Sequence, residues 1–575
     1  MSESSTDSVV PVQRERRYLT APDPSETGWP KGVPYIIGNE ACERFSYYGM
    51  RAILQIHMTA LFVAQVVGRK AQELAGAAEA AAQATPEMIQ TAELQAQETV
   101  HLFAAGVYAF PMIGAVIADR LLGKYHTILS LSIVYCLGHL VLALSDDTLN
   151  GMYLGLGLIA VGSGGIKPCV SAHVGDQFGK GNWDKVSKVF QWFYFSINFG
   201  SFFATLLIPW LHEHYGAGVA FGVPGILMFL ATVAFWMGRH VFVHVPARPA
   251  GQLGLLDAVS STLMFLGFIG IPLFAHDLLS PLVLWSSMIA CAAAGLLLFR
   301  TRQLKQQDDG FMAVSVYSLG ALARGENRKA AAEAAASGAE PGQIERHWLF
   351  GAAAKRFGRE VAEGPQAVLG IIATFAFVSV FWALFDQHMS SWIRQAKQMN
   401  LTVMGVELLP SQIQSLNPLL VMGLLPFVTF VLYPGLEKIG FQPTPLRKMT
   451  LGMFTASLAF VLVALIQRRI DTNEPNSVSV LWQFFPYLVM TLAEVMVSVT
   501  GLEFAYTQAP KPMKSTIMGL WLLAVSFGNV LVALLSRFED LSLQNFFWLF
   551  AGLMALAAVL FGTYAMFYRY KDYSQ

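Results

Sequence analysis

Charged side chains are scarce in this 575-residue chain: Asp, Glu, Lys and Arg together make up 13% of it, against about 25% in an ordinary soluble protein. The 38 basic and 38 acidic residues cancel, which leaves no basic surface for nucleic acid and no acidic tract for a basic partner. Only four cysteines occur, Cys42, Cys136, Cys169 and Cys291, with no close pairs. Neither a disulfide framework nor a zinc site is encoded, and all four read as small buried residues. The first 34 residues lack the basic start, apolar run and small-residue cleavage site of a secretory signal, so insertion is expected to use the first span itself. A phosphate loop is missing as well. Gly162-Ser163-Gly164-Gly165-Ile166-Lys167-Pro168 is glycine-rich but carries proline where such a loop needs Ser or Thr. His212-Glu213-His214 lacks the second histidine at the spacing of a zinc protease helix. With no nucleophile, metal cluster or nucleotide loop, no metal or organic cofactor is expected and an enzyme is the least expected class.

Apolar residues are abundant, at 54%, and mean hydropathy is +0.49. A membrane-spanning helix needs roughly 20 mostly apolar residues. Fourteen such windows lie near 35–63, 99–121, 125–145, 150–172, 187–209, 219–241, 257–275, 281–299, 365–387, 411–433, 446–467, 480–502, 515–536 and 545–568. Their unbroken apolar character excludes a β-barrel, whose strands alternate at short period. The expected protein is therefore all-α and embedded in a lipid bilayer. Basic residues concentrate in alternate loops, at Arg120 and Lys124, Lys180, Lys185 and Lys188, Lys438, Arg447 and Lys448, and Lys511 and Lys514. The tendency of Lys and Arg to stay inside then puts both termini in the cytoplasm.

Two segments outside the spans organise the chain. Residues 68–98 are rich in Ala, Gln and Glu, with Thr85-Pro86 as a cap and first-turn proline, and predict an external helical hairpin. Residues 300–360, with the Arg/Lys/Ala/Glu-rich stretch from Arg324 to Glu340, predict a cytoplasmic linker carrying a surface helix. The expected units are thus a cytoplasmic tail, 1–34; a six-helix bundle, 35–242; an inserted pair, 257–299; the linker; and a second six-helix bundle, 365–568. Below, spans 1–6 and 7–12 denote the two bundles, and the pair is left unnumbered.

Chemistry is expected where charge survives inside a span. In span 1, Glu40, Glu43/Arg44, Tyr47 and Arg51 fall on one helical face. A charge at bilayer depth costs at least about 2.5–3.5 kcal/mol, so this stripe must face protein or water. It is either part of a transport pathway or a self-neutralised cluster that only ties helices together. Polar groups share single faces in other spans: His101 and Tyr108 in span 2, Tyr194 and Asn198 in span 5, Trp382 and Asp386 in span 7, and Tyr487, Glu494 and Ser498 in span 10. Lys167 in span 4 and Glu494 are predicted to pair, since each would relieve the other's burial. Singly, His101 and Asn198 could bond a neighbouring helix, and Tyr108 or Tyr487 could be packing. Together, such faces suit a bundle around a shared wet cavity.

Several runs resemble signatures of the proton-dependent oligopeptide transporter family: Glu40-x-x-Glu43-Arg44-Phe45-Ser46-Tyr47-Tyr48-Gly49, Gly164-Gly165-Ile166-Lys167-Pro168 with Asp176-Gln177-Phe178, and Phe193-Tyr194-x-x-Ile197-Asn198-x-Gly200-Ser201. Gly501-Leu502-Glu503 with Gln508-Ala509-Pro510 and Met513-Lys514-Ser515 adds a fourth. Gly114 with Asp119-Arg120 and Gly123-Lys124 is similar to the inward-loop signature of the wider major facilitator superfamily. The pair at 257–299 resembles the extra helices of bacterial members, while His101, Cys169 and Phe381-Trp382-Ala383-Leu384-Phe385-Asp386-Gln387 look closer to animal intestinal-type members.

The resemblance implies a major facilitator fold of twelve core helices plus two, in a bacterial inner membrane, with a monomer as the family default. It implies import of di- and tripeptides driven by protons. Arg51 and Lys167 would take the peptide carboxylate, Glu494 its amine, and Asn198 and Asn417 its backbone. Tyr47, Tyr48, Tyr108, Tyr194, Tyr487, Ser498, Trp382 and Trp521 would line the site. Glu40, Glu43, Arg44, His101 and Asp386 would carry proton coupling, and Lys167, Asp386 and Glu494 gating. Animal members also carry an arginine early in span 7 and an aspartate in span 8, where this chain has Gly370 and Thr429. The rival readings are import of another small anion such as nitrate, and a non-transporting sensor of the same fold.

Overall fold

The computed structural model describes residues 18–73, 85–275, 279–306, 310–338, 340, 343–508, 514–538, 541–568 and 570. Among these, fourteen helices are long and apolar enough to cross a membrane. Lipid offers no water to satisfy backbone amides, so each apolar run must close its own hydrogen bonds as a helix. Spans 1–6 are Val33–Val67, Pro86–Leu122, Lys124–Leu144, Leu149–Gly175, Trp183–Tyr215 and Ala217–His240. The inserted pair is Gly251–Phe274 and Pro281–Lys305. Spans 7–12 are Arg359–Ala396, Pro410–Lys438, Pro445–Thr472, Val480–Ala505, Ile517–Leu535 and Leu543–Phe567. Each bundle holds its own apolar core, one drawn from residues between Val33 and Phe242, the other from residues between Val368 and Phe561.

Local chemistry sets the helix ends. Thr85 Oγ1 accepts from the Met88 amide at 3.3 Å and Pro86 is the first helical residue, the cap read from sequence. Gly123 (φ +80°) and Gly216 (φ +83°) turn the chain between spans 2 and 3 and spans 5 and 6, in a region that L side chains avoid. The span 1 helix extends to Glu73, so the arms of the expected hairpin are prolongations of spans 1 and 2; its tip, 74–84, lies outside the described residues. The predicted edge with the greatest consequence for the site is the end of span 7. Instead of ending near 387, the span passes through a tight turn at Asp386–Met389 and continues as Ser391–Ala396.

The glycines of the rejected phosphate loop have a packing role. A Cβ on Gly114 would lie 2.1 Å from the Gly164 carbonyl oxygen, and one on Gly164 would lie 2.6 Å from the Phe110 Cβ. Spans 2 and 4 therefore touch backbone to backbone, as small residues allow in membranes. Gly114→Val is expected to cost more than the roughly 1–3 kcal/mol of ordinary overpacking, because a backbone oxygen cannot move aside. Loss of the monodisperse peak in detergent size-exclusion chromatography checks this.

Three expected units are more tightly integrated than sequence implied. The first is the tail. From residue 18 onward it is strapped to the ends of the first bundle that carry the basic loops: the His244 amide donates to Leu19 O at 2.6 Å, Asn182 Nδ2 to Gly28 O at 3.0 Å, and Trp29 packs edge-on to Phe178. The second is the linker, which is a small folded unit rather than a linker bearing one surface helix. Helices Phe311–Ala323, Glu326–Ala336 and Gly351–Phe357 surround Val314, Ile344, Leu349, Phe350 and Ala353. The 13-residue helix Phe311–Ala323 is too short to span a bilayer and too apolar for water, so it buries itself against the other two.

The inserted pair is the third. Its Asp257 accepts from Arg302 Nε at 2.8 Å within the pair and lies 3.7 Å from Arg120 of the loop after span 2. The Arg248 and Ala250 amides donate to the carbonyls of Asp119 and Arg120. Phe265 then packs into a cluster with Ile113 of span 2 and Leu523 of span 11. Polar fastening thus holds the pair to the first bundle, while its contact with the second bundle is through this apolar cluster.

Candidate functional site

Span 1 supplies the first part of the site because four of its polar residues recur once per turn. Arg44 Nε donates to Glu40 Oε1 at 2.6 Å and lies 3.1 Å from Glu43 Oε2. Glu43 Oε1 stands 3.9 Å from Lys167 Nζ, which sits over the rings of Tyr47 (4.4 Å) and Tyr108 (5.2 Å). One turn further, Arg51 Nη1 donates to Tyr47 Oη at 3.3 Å and to Asp386 Oδ1 at 3.0 Å. Arg51 and Asp386 are 1% and 3% exposed, so each depends on the other for a counter-charge, and removing either would strand a buried ion.

From Asp386 the network continues through the second bundle and back to the first. Asn529 Nδ2 donates to Asp386 Oδ2 at 2.5 Å, Asn529 Oδ1 meets His101 Nδ1 at 2.8 Å, and His101 Nε2 meets Ser390 Oγ at 2.7 Å. These partners assign the tautomer. Since the Asn529 amide nitrogen donates to the carboxylate, its oxygen is the acceptor; His101 must carry its proton on Nδ1, and Nε2 accepts from the Ser390 hydroxyl. Spans 1, 2 and 4 of one bundle and spans 7 and 11 of the other are tied into one chain of ionisable and hydrogen-bonding groups.

The opposite wall belongs to the second bundle. Asn417 Nδ2 donates to Glu494 Oε2 at 2.8 Å and to Thr491 Oγ1 at 3.2 Å. Glu494 is half-buried and within electrostatic range of Tyr48 and Tyr194 across the seam. A π-helical turn, Val495–Val499, follows Glu494 directly and carries the half-buried Ser498; such turns recur at functional positions in helices. Trp382 and Trp521 meet edge to face at 6.2 Å. Trp521 also lies where any side chain on Gly501 would stand, with its ring 2.4 Å from that Cβ position.

Two expected placements are replaced by others, and Asn198 is held by its own helix. Lys167 pairs with Glu43 and not with Glu494, because both sit on the first bundle's side of the seam while Asn417 already satisfies Glu494. Tyr487 does not line the site: its hydroxyl donates to His388 O at 3.1 Å and its ring packs edge-on against Trp392 inside the second bundle. Asn198 donates to Tyr194 O of its own helix at 3.0 Å. Of the remaining residues, Glu40, Glu43, Arg44, Tyr47, Tyr48, Arg51, His101, Tyr108, Lys167 and Tyr194 of the first bundle and Asp386, Asn417 and Glu494 of the second gather along the seam between them, while Trp382 and Trp521 pack on the apolar core of the second bundle and Ser498 stands half-buried on the π-helical turn after Glu494.

Sequence reading missed the groups that join the bundles at the end away from the basic loops. Arg394 Nε donates to Glu93 Oε2 at 2.9 Å and its Nη1 to Gln97 Oε1 at 3.0 Å; Arg537 meets Glu98 at 2.6 Å; Gln412 donates to Leu206 O at 3.0 Å. All four join one bundle to the other, and with Arg51–Asp386 and His101–Ser390 they close the seam at that end. Arg394 escaped notice because span 7 was expected to end before it. Asn529 and Gln97 carried a legible signal, an amide inside an otherwise apolar or helical run.

Some hydrogen-bonding capacity is left unspent at the centre. Arg51 Nε and Nη2, Lys167 Nζ and both Glu43 oxygens are buried without a hydrogen-bond partner among the described residues. Nε and Nη2 form one edge of the guanidinium, the edge that grips a carboxylate by two parallel hydrogen bonds. Buried polar atoms left unpaired are costly, so a polar group that reached these atoms would be stabilised by them.

The family model described as POT family matches residues 125–271 and 334–549. Among curated proteins, Peptide transporter family 1 of Drosophila melanogaster is 26% identical, over 95% of this chain and 88% of its own length. Solute carrier family 15 member 1 of Mus musculus is 31% identical over 78% of this chain. The chain spans about half, 53%, of that mammalian relative. Among solved structures, an auto-inhibited POT family peptide transporter is 35% identical, with a TM-score of 0.72 over 95% of this chain and 99% of that one. With these motifs, this two-bundle fold and the family match over more than half of its residues, the chain belongs to the POT family of membrane transporters and is not an enzyme.

Proposed function

We propose that this protein is a proton-coupled symporter that imports di- and tripeptides across a bacterial inner membrane by alternating access, as a monomer and without a cofactor. The observation that carries the reading is the opposition of charges across the seam. The open edge of Arg51, with Lys167 beside it, stands on the first bundle, and Glu494 stands on the second. A zwitterionic peptide has one carboxylate and one ammonium, and only closure of both bundles on it satisfies both. Backbone groups common to all short peptides would then meet Asn417, once Glu494 turns to the ammonium, and Asn198. Aromatic walls built from Trp382, Trp521, Tyr48 and Tyr194 take varied side chains.

Proton coupling follows from what each acid holds. A proton on Asp386 turns an acceptor into a donor, so one of its bonds to Arg51 or Asn529 must break and the joint between the bundles loosens. A proton on His101 Nε2 displaces the Ser390 hydroxyl from its donor role, with the same effect. A proton on Glu43 releases Lys167 toward the peptide carboxylate. The inward drive is about 2.3 kcal/mol per charge per 100 mV, and the bundles would rock about the central site. A nitrate importer would use the same two cations, but Glu494 facing them would repel the anion.

Uptake of labelled dialanine into proteoliposomes, with and without an inward proton gradient, tests the proposal against nitrate and free amino acids. Glu494→Ala is expected to weaken binding of dialanine by about ten- to a hundredfold, the worth of one charge-assisted hydrogen bond, while N-acetyl-dialanine loses little. Equal loss for both peptides would refute the assignment of Glu494 to the amine.

A further inference from the structure

Away from the seam, spans 9 and 12 part at the end where the basic loops lie and leave a crevice of about 450 Å³ on the lipid-facing side. Its lining changes character with depth. At the mouth are Gln442, Thr444, Arg447 and Tyr570. Deeper, Leu451 and Phe454 follow on span 9, facing Gly562 and Ala565 on span 12. At about 1.5 Å rise per helical residue, Phe454 lies roughly 10 Å further into the bilayer than Arg447.

Arg447 is the unusual member. It makes one long hydrogen bond, 3.3 Å, to Gln442 O and packs at 6.0 Å from the Phe441 ring, and no described carboxylate pairs with it. The adjacent Lys448 points the other way, over the Tyr433 ring at 4.3 Å. Gly562 keeps the crevice open: even a Cβ there would stand 3.1 Å from Thr450 Cγ2.

We propose that this crevice is a binding site for one anionic phospholipid of the leaflet on the basic side. Its phosphate pairs with Arg447, the hydroxyls of Thr444 and Tyr570 hydrogen-bond the head group, and one acyl chain lies along Leu451, Phe454 and Ala565. Charge and depth select the occupant. A free peptide or nucleotide has no apolar tail for the inner 10 Å or so of the groove, a zwitterionic lipid brings its own cation to compete with Arg447 for the phosphate, and an anionic lipid matches both ends.

Native mass spectrometry of the full-length protein in detergent, titrated with phosphatidylglycerol or phosphatidylcholine, tests this. Wild-type protein is expected to retain one phosphatidylglycerol under conditions that strip phosphatidylcholine. Arg447→Ala should bind phosphatidylglycerol about tenfold more weakly, and Gly562→Leu, which fills the groove, should do the same with the charge intact. Lys438→Ala, on the same face but outside the crevice, should bind as wild type. Equal retention of the two lipids, equal loss in Lys438→Ala, or wild-type binding by Arg447→Ala would overturn the site. So would thermal stabilisation by inorganic phosphate equal to that by phosphatidylglycerol, which would indicate a small-anion site. If Gly562→Leu does not fold, the exposed Arg447 carries the decision.

Discussion

Reconstituted Glu43→Gln protein is expected to exchange labelled dialanine across the membrane at near wild-type rates and yet fail to accumulate it. A neutral zwitterion moving with one proton carries one charge, so at 100 mV the drive of about 2.3 kcal/mol corresponds to roughly fortyfold accumulation before any pH difference. The variant should fall to a ratio of about one, because it has lost that coupling. The introduced amide is nearly isosteric with the carboxylate and could still hydrogen-bond Arg44 and Lys167, which now stand 3.1 and 3.9 Å from the Glu43 oxygens. It could neither take up a proton nor hold Lys167 by charge. Counterflow and gradient-driven uptake measured on one preparation separate the roles, since a purely structural Glu43 would depress both equally.

Arg51→Lys is the second substitution with a large expected effect. An ammonium in this position keeps the charge that Asp386 needs, so the cost of an unpaired buried carboxylate, about 3–5 kcal/mol for a broken pair, is avoided and the protein should fold. What disappears is the Nε–Nη2 edge, unpartnered among the described residues. One charge-assisted hydrogen bond to the peptide carboxylate is lost, so the KM for dialanine should rise about ten- to a hundredfold. A dipeptide amide, with no carboxylate to grip, should show little difference between variant and wild type. A comparable loss for the amide would mean that Arg51 serves the joint between the bundles through Asp386 and not the substrate.

The difference between what could and could not be read in advance shows in particular residues. The span 1 stripe was legible because Glu40, Glu43, Tyr47 and Arg51 are close in sequence and helical periodicity alone puts them on one face. Arg51 meeting Asp386, 335 residues away, and Asn529 linking Asp386 to His101 were not. Such pairings depend on how two separately folded bundles lean on each other. Tyr487 illustrates the converse: it lies seven residues before Glu494 and shares its nominal face, yet hydrogen-bonds His388 in the bundle interior, because the second bundle's packing turns that part of span 10 inward. Lys167 and Glu494 were matched as two lone buried charges, but burial says that each needs a partner, not which one.

Composition and hydrophobic runs by themselves determined that this chain spans a membrane as a helical bundle, since lipid leaves an apolar backbone only one way to satisfy its amides. They also determined which few charges had to face inward, since each exposed to lipid would cost several kcal/mol. Tertiary structure alone decided which of those charges meet, that Arg394, Glu93, Gln97 and Arg537 join the bundles at the end away from the basic loops, and that Arg51 keeps one edge open at the centre. Helix formation in lipid is governed by local hydrogen bonding, whereas the partner of a buried charge is set by contacts between bundles hundreds of residues apart, where closeness in sequence carries no information.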